Sequence, residues 1–192
     1  MCALSKLDLG SGELEWIVGL PDGWREPWSD LLLEPEGDLD WFCGQHAAEV
    51  TPCGTLLLYD NYRPGFPGHP PVPDEENYSR ALELEIDEEK RTVRQVWSYG
   101  GLDQDRFFAV FISEADTLPV TGNVLLVNGG RLTDANGKPT SNFAAGHHWS
   151  SLVEVTHGTP AEKVWEVVID DPRGGWASYR AERVKSLYPA LR

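Results

Sequence analysis

WFCGQHAAEVTPCGTLLLYDNYR, residues 41–63, is the stretch on which the reading of this chain turns. Thr51-Pro52-Cys53-Gly54 is a turn signal between two short runs, one opening with Gln45-His46 and one running from Thr55 to Tyr59 before Asp60-Asn61. Two such runs around a Pro/Gly turn predict a β-hairpin. Because the turn closes one end, His46 and the stretch Asn61 to Arg63 return to the other end together. An imidazole, an amide and a guanidinium facing one pocket are the donor set of an anion site.

Outward from it, a second kind of hairpin appears three times. Leu7 and Leu9, a Gly10-Ser11-Gly12 turn and Glu13 to Val18 make the first. Leu82 to Ile86 returning through Thr92 to Trp97, and Leu152 to Val155 returning through Lys163 to Val168, make the others. Each return strand carries a tryptophan: Trp16, Trp97 and Trp165, read as packing residues. The hairpin of residues 46–61 also has a counterpart, residues 114–130, with a Pro-containing turn ending in Gly and a run of Leu and Val. One hairpin of each kind makes a four-stranded unit, so the chain is expected to be all-β, a partial β-propeller of four-stranded antiparallel blades.

The expected layout is a single domain over 1–192: a half blade at 1–20, full blades at 41–100 and 107–170, and the opening of another at 176–192. Trp16 and Trp97 are 81 residues apart and Trp97 and Trp165 are 68 apart. Compact propeller repeats take only ~40–50, so the excess is assigned to loops. Pro64 to Asn77 is Pro-rich, and Arg131 to His148 is rich in Gly, Asn and Ser. A ring needs ~4–8 blades, so this chain is expected to belong to a longer propeller or to complete its ring by self-association.

The net charge of −15 argues against nucleic-acid and anionic-membrane partners, and runs such as Asp74-Glu75-Glu76 read as solvated loops. Cys2, Cys43 and Cys53 are an odd number without metal-ligand spacing, from which neither a disulfide framework nor a zinc site can be read. The first residues lack a basic segment followed by a long apolar run, so no export signal is read there.

WFCGQHAAEVTPCGTLLLYDN, YSRALELEIDEEKRTVRQVWSYG, EADTLPVTGNVLLVNGG and YRAERVKSLYP resemble the bacterial aryl sulfotransferases. The resemblance runs over nearly the whole chain and corresponds to the C-terminal portion of the family pattern. It implies a six-bladed propeller that transfers a sulfuryl group from an aryl sulfate to a phenol through a sulfated histidine. No nucleotide sulfate donor, cofactor or metal is implied, and full-length members are expected in the periplasm. A chain complete as written would be cytoplasmic.

Carried over, the motif histidine is His46 and the arginine after Asp-Asn is Arg63. The resemblance puts the sulfated histidine in the following blade, where this sequence has Asn128, with His147 and His148 further along. The nucleophile therefore stays open among these histidines. Sulfuryl transfer asks for an in-line nucleophile, donors on the equatorial oxygens and an acid for the leaving oxygen. His46, His147 and His148 are the candidates for the first and last roles, Arg63 is the charged donor, and Asn61 and Asn128 are candidate substrate contacts.

His69 and His157 read as surface residues. The rival reading is a non-catalytic propeller fragment that binds ligands or proteins. A metal hydrolase using His46, His147 and His148 lacks the His-x-His or His-Glu spacing it would need.

Overall fold

A computed structural model describes residues 2–61, 70–102 and 104–186. Among them no α-helix occurs, only a 3-10 turn at Trp28–Leu31, and no helix is long and apolar enough to cross a membrane. Strands β1 (Ala3–Leu7) and β2 (Leu14–Gly19) form a two-stranded sheet. After β3 (Glu34–Pro35) come β4 (Gln45–Val50), β5 (Leu56–Asp60), β6 (Arg80–Asp87) and β7 (Thr92–Gly100). The last four are an antiparallel meander, and β3 adds parallel to β7, giving the order β3-β7-β6-β5-β4. Strands β8 (Glu114–Thr117), β9 (Val124–Thr133), β10 (His147–Val155) and β11 (Lys163–Ile169) form a second antiparallel meander.

The three tryptophan hairpins are β1–β2, β6–β7 and β10–β11, and their likeness extends to register. Trp16 lies opposite Lys6, Trp97 opposite Glu83 and Trp165 opposite Glu154, and in each hairpin the ladder slips immediately after that opposing residue. A bulge at a fixed place in each hairpin adds local twist. Each indole N–H also has an acceptor: Glu88 Oε1 at 2.9 Å for Trp16, the Gly158 carbonyl at 3.1 Å for Trp97, and Glu154 Oε2 at 2.6 Å for Trp165.

The five-stranded sheet is buried on both faces. Leu57, Tyr59, Ala81, Trp97 and Tyr99 pack with Phe107, Leu126 and Val153 toward the second meander. Leu58, Leu82, Leu84 and Val93 pack with Trp16, Val18 and Phe42 toward the first hairpin. A strand apolar on both faces reads as a continuous run, which is why Leu56-Leu57-Leu58-Tyr59 shows no alternation. His157, half-exposed, bonds the buried Glu83 carboxylate, and its ring stands 5.0 Å from that of Trp97. It ties the β10–β11 turn to the neighbouring sheet.

Three features depart from expectation. Cys2 and Cys43 form a disulfide, Cα atoms 4.5 Å apart across 41 residues of sequence, and Cys53 is the free, exposed third. The odd count concealed the pair. His147 and His148 open β10, because β9 runs on to Thr133 and the two strands pair there; the loop is shorter than composition indicated. Residues 176–186 hold no strand and cross the second meander instead, with Trp176 N–H on the His148 carbonyl (3.0 Å) and Ser178 N–H on that of Gly129 (3.3 Å). A Cβ on Gly129 would stand 1.8 Å from the Ser178 carbonyl oxygen and one on Gly130 2.3 Å from that of Phe111. That close approach explains the glycine pair.

Where β4 meets β8, Thr117 N–H is held by Glu49 at 2.9 Å, and Glu114 receives Arg180 and the Ala181 N–H. Asp116 shares this corner, and burial, reinforced by the charges of Glu114 and Glu49 and by Glu182, pushes its carboxyl from 3.8 to about 6, against the pull of Arg180. Over that window the unfolded chain has released a proton that the folded chain retains, so this carboxyl removes stability as pH rises through it. Asp116→Asn is expected to be more stable than the parent at pH 7 and to lose the advantage on acidification to pH ~4. Denaturant midpoints measured at both pH values check it; an advantage that persists unchanged at the lower pH rules it out.

Candidate active site

The backbone around His46 is set by two left-handed residues, Gly44 at φ 83° and Ala47 at φ 49°, and by a slip of the β4–β5 ladder between His46 and Glu49. A bulge with a non-glycine residue at positive φ turns a side chain away from its regular direction, and such geometry is common beside functional sites. The strand is held from outside. Gln45 Nε2 donates to the Ala3 carbonyl at 2.7 Å, and the Cys2–Cys43 bridge fixes the residues just before it.

His46 Nδ1 lies 2.6 Å from Asn61 Oδ1 and 3.0 Å from the Gly44 carbonyl oxygen. Asn61 is fully buried and its Nδ2 donates to the Ala109 carbonyl at 2.9 Å, which turns Oδ1 toward the imidazole. Both neighbours of Nδ1 are acceptors, so Nδ1 carries the proton and, in the neutral ring, Nε2 carries the lone pair.

Around this pair is a buried polar knot. Ser79 Oγ donates to the Asn61 carbonyl and accepts the Ala109 N–H at 2.9 Å. Ser113 Oγ accepts the Gly129 N–H at 3.0 Å from a residue at φ 99°, preceded by Ile112 at φ 48°. Asp60, also buried, accepts the Cys43 N–H at 3.0 Å and Arg80 Nε at 3.1 Å. Arg80 reaches on to Asp40 through its carboxylate at 2.9 Å and its carbonyl at 2.6 Å. Arg80 thus clamps the chain entering β4 against β5 and β6.

Of the six residues expected at the site, the structure joins His46 and Asn61 directly. Asn128 is 1% exposed, accepts the Tyr59 hydroxyl at 2.6 Å and donates to Ser151 Oγ at 3.1 Å, so both ends of its amide are engaged. Burial holds the Tyr59 phenol above its ordinary pKa, a neutral donor to that amide. His147 Nε2 is 2.6 Å from Asp170, and the His148 ring packs near Phe111 and Phe143; neither shares a partner with His46. Arg63 and His69 lie outside the described residues. Arg80, Asp60, Ser79 and Ser113 were not singled out from the sequence, although Tyr78-Ser79-Arg80 opens one of the stretches that carry the resemblance.

A family model described as arylsulfotransferase (ASST) matches residues 2–180. The arylsulfate sulfotransferase AssT of Escherichia coli O6:H1 strain CFT073 is 33% identical over 105 residues, 46% of this chain and 17% of that protein. The protein of the same name from Lelliottia amnigena is 30% identical over 105 residues, with the same two shares. The aligned part is therefore a small portion of those relatives. With nearly the whole length from Cys2 to Arg180 matched by its model, this chain belongs to the arylsulfotransferase family.

Proposed function

We propose that this chain carries the nucleophile of an aryl sulfotransferase and that the nucleophile is His46 Nε2. The observation that carries the reading is the double acceptor set on Nδ1, Asn61 Oδ1 at 2.6 Å and the Gly44 carbonyl at 3.0 Å, which leaves the other ring nitrogen with its lone pair. His147 is less suited, since its Nε2 already meets Asp170 at 2.6 Å.

In the first half-reaction Nε2 attacks the sulfur of an aryl sulfate. The N–S bond forms, the S–O bond to the ring breaks, and its electron pair leaves on the phenolate oxygen, which takes up a proton. In the second, a phenol gives up its proton and its oxygen attacks the sulfur, and the N–S bond breaks with its pair returning to Nε2. Asn61 and the Gly44 carbonyl hold the ring and stabilise the Nδ1–H cation that N-sulfation creates. Arg63 is assigned to the equatorial oxygens as a planar donor. Asn128 acts through Tyr59 and Ser151, as a strut between the meanders. No nucleotide sulfate donor is needed, because the ester supplies the sulfuryl group. The two meanders are read as two propeller blades, with β1–β2 as part of a third.

The test is incubation with 4-nitrophenyl sulfate alone, followed by mass spectrometry of peptides under conditions that preserve phosphoramidate-like bonds. A sulfuryl group on His46 is the expected result. A label on His147 or His148 reverses the assignment, and no label on any histidine favours a ligand- or protein-binding module without catalysis.

A further inference from the structure

A second collection of cations lines a cavity whose walls include neither His46 nor Asn61. Arg106, Phe107 and Phe108 from the link between β7 and β8, Arg131 on β9, Lys138 beyond it and Glu75 line a cavity of about 330 Å³. Three cations against one carboxylate is unusual for a chain of net charge −15.

Two of the cations are accounted for. Lys138 pairs with Glu75 at 3.0 Å, and Arg106 donates to the backbone carbonyls of Glu75 and Asn77. Arg131 differs. Its guanidinium lies over the Trp149 ring, 3.8 Å from the centroid, and its hydrogen bond to protein among the described residues is a long one, 3.5 Å to Ser151 Oγ. No carboxylate among the described residues comes within ion-pairing distance of it. Burial lowers the guanidinium's pKa from its ordinary value, outweighing the opposing pull of the Tyr59, Glu166 and Asp105 charges. Stacking uses the face of a guanidinium and leaves its in-plane N–H donors for another group. Largely buried donors with so little protein to bond call for an acceptor from elsewhere. Phe107 and Phe108, 6% and 4% exposed, supply an apolar wall beside it.

We propose that Arg131, braced on Trp149, anchors an oxyanion-binding site separate from His46, which takes a small oxyanion either free or as the head of an aromatic molecule. The site does not require His46 to react, so it stands or falls apart from the transfer chemistry.

Isothermal titration of the intact chain with sodium sulfate and with sodium benzenesulfonate, at ionic strength held constant with chloride, tests it. Benzenesulfonate is chosen because its C–S bond cannot be transferred. A saturable binding component is expected that persists in His46→Ala and is weakened at least about tenfold by Arg131→Gln, the loss of one charge-assisted pair. Tighter binding of benzenesulfonate identifies the aromatic source and engages the phenylalanines; equal binding identifies the free ion, and both support the site. Absence of saturable binding overturns the proposal, as does wild-type affinity in Arg131→Gln. Should that variant not fold, phenylglyoxal modification of the unaltered chain decides. Either anion should slow the labelling of Arg131 several-fold, and labelling at the same rate with and without both anions overturns the proposal.

Discussion

His46→Ala is expected to abolish sulfuryl transfer from 4-nitrophenyl sulfate to a phenol while moving stability by no more than ~2 kcal/mol. Loss of the proposed nucleophile would remove the reaction path itself, whereas the structural cost is one half-buried ring and its bonds to Asn61 and Gly44. The stability cost has two parts of opposite weight. The ring contributes little packing, but its removal leaves Asn61 Oδ1, in a fully buried side chain, without the donor it now has. Asn61→Ala makes a useful companion because it removes both the acceptor beside Nδ1 and the donor to Ala109; labelling of His46 should fall if the ring's orientation is what Asn61 provides. Both variants are read by nitrophenol release and by peptide mass after incubation with donor alone. Full transfer in His46→Ala would refute the assignment.

The largest stability effect is expected at Arg80. Its side chain is 6% exposed and that of Asp60 4%, and they meet at 3.1 Å between the strands that position the site. Arg80→Leu removes a buried cation from the Asp60 carboxylate and the two bonds to Asp40, a change expected to cost up to about 3–5 kcal/mol. Because part of the cost falls on a buried carboxylate that has lost this cation, Asp60→Asn combined with Arg80→Leu should recover some of it, a non-additivity that a double-mutant cycle in urea measures directly. Additive losses would show that the pair contributes only packing. Arg80→Leu should also impair transfer in whatever fraction stays folded, because the Cys43 N–H on Asp60 is one of the contacts that fix the approach to Gly44 and His46.

The strands were legible where local signals agree. The turn at Thr51 to Gly54 and the runs on either side of Asp87 to Lys90 bound the strands of β4–β5 and β6–β7 closely, while the Gly10-Ser11-Gly12 turn located the β1–β2 hairpin, in which β1 ends at Leu7 and the exposed Leu9 belongs to the turn. The repeated tryptophans marked three hairpins that share a bulge at the residue facing the indole. At the site, the hairpin argument returned His46 and Asn61 to one end, and the hydrogen bond between them came with the left-handed Gly44 and Ala47 and the bond from Asn61 to Ala109. Other partners were not legible, because nothing local distinguishes them. Ser113 owes its place to positive-φ backbone at Ile112 and Ser113, and Arg80 reads as an ordinary strand arginine until Asp40 and Asp60 are folded around it. The expectation for Asn128 came from its place at a strand end, and only packing shows its amide closed between Tyr59 and Ser151.

By itself, then, the sequence determined the hairpins, their tryptophan repeat, the all-β character and the return of His46 and Asn61 to one end of a hairpin, since each follows from contacts within a hairpin or from side-chain periodicity. Tertiary structure decided the rest. The Cys2–Cys43 bridge, the tautomer of His46, the clamp of Arg80 and the stacking of Arg131 on Trp149 depend on which distant backbone and side-chain groups arrive at the same place. Hydrogen bonds and ion pairs act over a few ångströms, so their partners are chosen by how the sheets pack, and no local pattern along the chain encodes that choice.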